Sequence, residues 1–387
     1  MGSPTIKPVT VDGKTKYRFV VDIGRDPMTG KRRQLTRTYD LRREAQGELA
    51  KILNETNKGS YATPTKVTVN DYLDEWIRSA TRGKEANTQA NYLYALLPVR
   101  EVFGSKQLQK LTTVDVENLV DYMLTSGRKR GGKPGTALSP RSVQLTLSRL
   151  RSALDAAVHR RLIEFNVAAP VKCPAQTKVK RQPWSPAEVK TFLASLSNDR
   201  LQAPMLLALM GLRPAETCGL RWNEEIDLEA ETIKVENTRT IVWEPGGGRV
   251  DEKGTKSTSG ERTLPIPPPV VSALRRFKVI QARERLNAGE AYENSGYVLV
   301  DELGRPFKTD QLRRVTYKLM TAAGVRKVRP YDARHACLTY LATNGVPDVI
   351  VSAWAGHADL SFAKRVYIHP SPQDLEQGRD KLTELFG

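Results

Sequence analysis

Between Lys16 and Ile23, bulky and polar side chains alternate around Tyr17, Phe19 and Val21, the period of a strand with one buried face. A turn from Gly24 to Gly30 containing Asp26-Pro27 follows, then a second strand-like run, Arg33 to Tyr39, and a helical stretch from Leu41 to Asn57. Residues 1–60 therefore read as a small β-β-β-α unit. From Val67 to Lys172 the period lengthens to that of helices. Tyr72, Leu73, Trp76 and Ile77 share one face, a further helix runs across Asn87 to Val102, and Val116 to Met123 forms a third. After a basic, glycine-rich stretch from Gly127 to Gly135, Ser139-Pro140 marks a helix start, with Ser as N-cap and Pro in the first turn. Val143, Leu147, Leu150, Leu154 and Val158 line one face of that helix, and Arg141, Arg149 and Arg151 lie on the other.

The chain turns polar and basic between Pro170 and Pro183, which marks a linker. Beyond Trp184 the pattern is mixed: helices over Pro186 to Leu196 and Leu201 to Arg221, strands over Thr232 to Val242 and Arg262 to Ile266, then mainly helices. The expected organisation is multidomain, mixed α and β. A β-β-β-α domain spans 1–60, an all-α bundle 65–172, a linker 173–183, and a mainly helical α+β domain 184–387, where Leu375, Leu382, Leu385 and Phe386 form an amphipathic tail helix.

Charge narrows the choice of partner. The 387 residues hold 61 Lys and Arg against 43 Asp and Glu, a net charge of +18, which favours a polyanion. The basic positions cluster at Lys31, Arg32, Arg33 and Arg37 in the N-terminal hairpin, and at Arg128, Lys129, Arg130 and Arg141 in the bundle. A basic strand pair of this size fits a DNA major groove, though the same charges also suit a solvated hairpin. No run approaches the roughly 18 apolar residues of a membrane span, and Met1 to Thr15 carries no secretion signal; a cytoplasmic location on DNA is expected. Cys173, Cys218 and Cys337 are widely spaced, without metal-ligand spacing, and read as free, mostly buried thiols.

Breaking a phosphodiester without a metal requires a nucleophile, cations for the non-bridging oxygens and an acid for the leaving oxygen. Gly211-Leu212-Arg213-Pro214-Ala215-Glu216 sets a guanidinium three residues from a carboxylate that can hold it, Tyr331-Asp332-Ala333-Arg334-His335 supplies a second at a helix start, and Gly356-His357 precedes Tyr367 by ten residues. Each piece alone is weak. Taken in order, and with Lys256-Ser-Thr-Ser-Gly-Glu-Arg-Thr-Leu-Pro, they resemble the tyrosine recombinase (phage integrase) family over Trp184 to Tyr367. The two N-terminal regions are similar, less specifically, to that family's arm-binding and core-binding domains.

The resemblance implies a catalytic domain of the tyrosine recombinase type and a role for each residue. Tyr367 is the nucleophile that forms a 3′-phosphotyrosine, Arg213 and Arg334 grip the scissile phosphate, Lys256 is the general acid and His357 bonds the phosphate. Glu216 orients its neighbours, and His335 is more remote. Lys253 competes with Lys256 for the acid's place, but only Lys256 opens the family's run into Pro265. The family usually has His or Lys where Tyr331 stands; a phenol donates one hydrogen bond but brings no positive charge. No metal or nucleotide cofactor is implied. The implied function is integration and excision for a temperate phage or integrative element, by a homotetramer on double-stranded DNA with core and arm attachment sites. An accessory directionality factor and a host DNA-bending protein belong to the same picture. The competing readings are a type IB topoisomerase, a non-catalytic DNA-binding regulator on the same fold, and a transposase-like enzyme with loose target choice.

Overall fold

Strands β1 (Lys7–Val11), β2 (Lys14–Arg25) and β3 (Arg32–Tyr39) pair antiparallel in sequence order. Helix α1 (Arg42–Asn57) packs Ala45, Leu49 and Ile52 against Phe19 and Val21 on one face of this sheet. The structure is a computed structural model that describes residues 4–25, 32–57, 61, 65–129, 132–175, 182–244, 247–254 and 261–356. The chain divides into two units, Met1–Lys178 and Val179–Gly387.

The rest of the first unit is helical: α2 (Val69–Ala80), α3 (Ala86–Phe103), α4 (Thr113–Thr125) and α5 (Pro140–His159). Capping boxes start α2 and α4, where Thr68 and Thr112 exchange hydrogen bonds with Asp71 and Asp115 three residues on. Ser139 caps α5 ahead of Pro140, as its sequence predicts. Leu73, Leu96, Leu119, Leu147 and Leu150 meet in one core. Arg149 and Arg151, expected on the outer face of α5, instead turn to the protein: Arg149 donates to the Tyr92 hydroxyl at 3.1 Å, and Arg151 to the Ala168 carbonyl at 2.9 Å. Cys173 is exposed, against the expectation of mostly buried thiols; Cys218 is buried and Cys337 half-buried.

In the second unit, α6 (Pro186–Ser195), α7 (Gln202–Leu209), α8 (Pro214–Gly219) and α9 (Trp222–Glu225) precede a sheet of β4 (Ile226–Asp227), β5 (Thr232–Val235) and β8 (Arg262–Pro265). A hairpin of β6 (Asn237–Glu244) and β7 (Gly247–Gly254) leaves this sheet. Helices α10 (Pro268–Ala288), α11 (Thr309–Ala322), α12 (Pro330–Thr343) and α13 (Asp348–Ala355) follow. Leu207, Leu212, Ile233, Leu264, Leu274 and Phe277 form a core between the sheet and α7 and α10. The tail with Leu375, Leu382, Leu385 and Phe386 lies outside the described residues. Among those described, no helix is long and apolar enough to cross a membrane.

Two expected elements are divided. The helix from Leu201 to Arg221 breaks between α7 and α8, because Gly211 adopts φ +98° and Pro214 begins a new helix. The strand from Thr232 to Val242 breaks at Glu236, where the backbone N–H groups of Glu236 and Asn237 turn to the buried Glu225 carboxylate at 3.0 Å. A Cβ on Gly211 would sit 3.3 Å from Cys337 Sγ and force a left-handed non-glycine conformation. Gly211→Ala is therefore expected to destabilise the protein by roughly 1–3 kcal/mol, read as a lower urea midpoint with an unchanged m-value; an unchanged midpoint would show that the α7–α8 break tolerates any residue.

Candidate active site

Helices α8 and α12 begin with the same local device: Arg213-Pro214-Ala215-Glu216 and Arg329-Pro330-Tyr331-Asp332. Proline sits in the first turn, where its missing N–H would have no helical partner. The acidic side chain at the third helical position accepts the N–H of the arginine before the helix, Glu216 from Arg213 at 2.8 Å and Asp332 from Arg329 at 3.0 Å. This pins the helix starts on which Arg213 and Arg334 stand.

Glu216 is 1% exposed and saturated with donors. Oε1 accepts from Arg213 Nη1 at 2.5 Å and Arg262 Nη1 at 3.2 Å, while Oε2 accepts from the Arg213 N–H and from Arg262 Nη2 at 2.9 Å. Burial pushes the carboxyl pKa up, but the Arg262 hydrogen bond and the charges of Arg262 and Arg213 outweigh it, and Glu216 titrates below the ordinary carboxylate range.

Side chains from α8, β8 and α12 converge on the C-terminus of α13. A helix end leaves its last carbonyls without helical partners. Here the Gly356 N–H, in a left-handed cap at φ +60°, serves Ser352 and Ala353. The next three carbonyls are taken by three arginines in turn. Arg262 Nε donates to Trp354 at 2.8 Å, Arg334 Nη2 donates to Ala355, and Arg213 Nη2 donates to Gly356 at 3.2 Å. Arg334 also donates from Nη1 to the Gly211 carbonyl at 2.6 Å, and the Trp354 indole donates to the Met210 carbonyl at 2.7 Å. The negative end of the helix dipole offsets part of the cost of gathering cations. Arg334 is fully buried; burial first, then the like charges of Arg213 and Arg262, lowers its pKa to about 10 despite Glu216, so it stays charged at neutral pH.

Among the described residues, three guanidiniums meet one carboxylate here, which leaves excess positive charge, and the Arg213 side chain is still 29% exposed. The structure thus brings together Arg213, Glu216 and Arg334. Tyr331 is exposed on the first turn of α12, its ring edge-on to His335 with centroids 5.3 Å apart. Lys256, His357 and Tyr367 lie outside the described residues. Lys253, on β7, pairs with Asp251 at 3.2 Å. Arg262 entered the sequence reading only as part of a run, and no periodicity marks it as the side chain that joins Glu216 to α13. Among the described residues, no group of three or more His, Cys, Asp or Glu converges as a metal site.

The basic positions expected at DNA divide by orientation. Strand alternation puts Arg33 and Arg37 on the side of the first sheet that faces α1, with Arg37 opposite buried Phe19 in register. Arg32 is on the open side and donates to Asp22 at 2.6 Å. That open side also carries exposed Arg18, Val20, Gln34, Thr36 and Thr38. In the bundle, Arg128 folds back on the Ala137 carbonyl at 2.8 Å, whereas Lys129 and Arg141 are exposed. Lys31 and Arg130 lie outside the described residues.

Because the folded Glu216 pKa is depressed below its ordinary 4.5, its contribution to stability is complete above pH 4.5 and lost as pH falls through the folded value. Glu216→Gln is expected to cost roughly 3 kcal/mol at pH 7, the scale of breaking a buried ion pair. The gap to the native protein should narrow below pH 4.5 in urea unfolding. A gap of the same size at pH 7 and pH 3 would contradict this reading of the carboxylate.

The Phage integrase family model matches residues 185–374. A tyrosine recombinase XerC-like protein of Caldanaerobacter subterraneus subsp. tengcongensis is 26% identical over 97% of each chain. Among solved structures, the Tn1549 transposon integrase in complex with transposon right end DNA superposes with a TM-score of 0.64 at 19% identity, covering 82% of this chain and all of that one. A lambda integrase tetramer bound to a Holliday junction gives 0.58 at 18%, covering 91% and 92%. At such identities the superpositions establish a shared fold. Residues 185–374, which hold the motifs at Gly211–Glu216, Lys256–Pro265 and Asp332–His335 together with Gly356-His357 and Tyr367, therefore belong to the phage integrase family, and tyrosine recombinases and integrases align along nearly the whole chain.

Proposed function

We propose that the protein recombines DNA at specific sites by cutting and rejoining strands through Tyr367. The phenol oxygen attacks the scissile phosphorus as its proton passes to solvent, the bond from phosphorus to the 5′-oxygen breaks, and a 3′-phosphotyrosine forms while Lys256 gives a proton to the leaving 5′-oxygen. Arg213 and Arg334 hold the non-bridging oxygens; a guanidinium's planar fork matches two oxygens, and an arginine at a phosphoryl transition state contributes roughly 10³ to 10⁵ in rate. The phosphotyrosine conserves the bond energy, so a 5′-hydroxyl from another strand reverses the step and seals the new joint.

The observation that carries this reading is the set of three carbonyls, Trp354 to Gly356, each bound by an arginine, immediately before His357 and eleven residues before Tyr367. It supports a charged seat for one phosphate with the segment leading to the nucleophile fastened to it. Residues 184–387 are the cutting domain in this account and residues 65–172 hold core DNA through Lys129 and Arg141. The open sheet face of residues 1–60 lies against arm sites, with Arg18 and Arg32 more suitably placed than Arg33 or Arg37. Four copies acting on two DNA sites, an accessory directionality factor and a host DNA-bending protein complete the proposal. Tyr331 supplies one neutral hydrogen bond where the family commonly has a cation.

A nicked duplex that loses its 5′-hydroxyl fragment after cutting traps the covalent stage. The native protein, with EDTA present, is expected to give a denaturation-resistant protein–DNA adduct on attachment-site DNA, and Tyr367→Phe none. Binding without any adduct would turn the reading to a DNA-binding regulator.

A further inference from the structure

We infer that Arg262 is a positioning residue of the cutting site: it shares the charge of Glu216 so that Arg213 stays available to a phosphate, and it ties the strand after Lys256 to the helix end before His357. This rests on the recombinase reading above. Arg262 opens β8, six residues beyond Lys256. Its side chain is 7% exposed, and its fork spans two elements. Two nitrogens lie on the Glu216 oxygens at 3.2 and 2.9 Å, and the third lies on the Trp354 carbonyl at 2.8 Å. One side chain thus touches the carboxylate that holds Arg213 and the helix end that accepts Arg334 and Arg213, while its own backbone closes the segment that carries Lys256.

Glu216 is the carboxylate bonded to both Arg213 and Arg262. Without Arg262, the full carboxylate charge falls on Arg213 in a site shielded from water, where such attraction is strong. Arg213 is then held as an ion-pair partner, and among the described residues three cations against one anion become two against one. Replacing Glu216 by Gln in the same protein returns the excess to its native value and leaves an amide oxygen that can still accept from Arg213.

Covalent adduct formation on the suicide duplex is compared for native protein, Arg262→Gln, Glu216→Gln and the double variant, with DNA affinity and thermal melting measured for each. Arg262→Gln is expected to cut roughly 10- to 100-fold more slowly, the loss seen when a partner of a reacting group's ligand is removed. It should bind DNA close to normally, because affinity is spread over many phosphate contacts, and the double variant should recover most of the lost rate. A role in packing alone predicts that the double variant is as slow as Arg262→Gln or slower, and that result overturns the inference, as does an Arg262→Gln protein that cuts at the native rate. If Arg262→Gln does not fold, the double variant decides: adduct formation within about tenfold of native supports the inference, and absence of adduct overturns it. No adduct from the native protein on DNA that it binds would sink the recombinase reading itself, and this inference with it.

Discussion

The C-terminus of a helix eight residues long organises this site. Arg213 comes from the start of α8, Arg262 from the start of β8 and Arg334 from the second turn of α12. Residues from 213 to 334 in the chain therefore depend on the carbonyls of Trp354, Ala355 and Gly356 for a common origin. The arrangement answers two needs with one set of bonds. The helix end obtains donors for carbonyls that its own backbone cannot serve, and the guanidiniums obtain fixed acceptors that orient them without neutralising them.

That distinction between orienting and neutralising matters for chemistry. Pairing each arginine with its own carboxylate would have given a stable cluster with no field left for a phosphate. Here one buried carboxylate, Glu216, serves two arginines, and the neutral carbonyls of Gly211, Trp354, Ala355 and Gly356 accept further hydrogen bonds from the three guanidiniums. Burial lowers the pKa of Arg334 only to about 10, so the charge survives at neutral pH. A site preorganised this way can stabilise charge that builds on the phosphate without rearranging when it does.

Much of this was legible in the chain, because the features concerned are local. Ser139-Pro140 announced a helix start, and Arg213 with Glu216 three residues on announced their own pairing. What escaped depends on contacts distant in sequence. The break at Gly211 requires a left-handed residue tucked against Cys337, and the break at Glu236 depends on a carboxylate eleven residues earlier. Arg149 and Arg151 occupy the polar face of α5 as the period predicts, yet reach Tyr92 and Ala168, which no helical wheel displays. Charge groups Arg33 and Arg37 with Arg32, but a strand sends its neighbours to opposite faces, and only the packing of α1 decides which face is covered. Arg262 is the clearest case: its importance lies in two partners, Glu216 and Trp354, that are 46 and 92 residues away.

In the proposed reaction, Arg213 and Arg334 act by countering charge on the scissile phosphate. This role is tested most directly by a substrate whose scissile phosphate is replaced by a methylphosphonate, which carries no negative charge on its non-bridging oxygen. Arg213→Ala and Arg334→Ala should form no detectable adduct with ordinary DNA yet regain cutting on the neutral substrate, since the charge they would have met is gone. Variants that stay inactive on the methylphosphonate while the native protein cuts it would contradict the account, and would assign these arginines to holding the fold together.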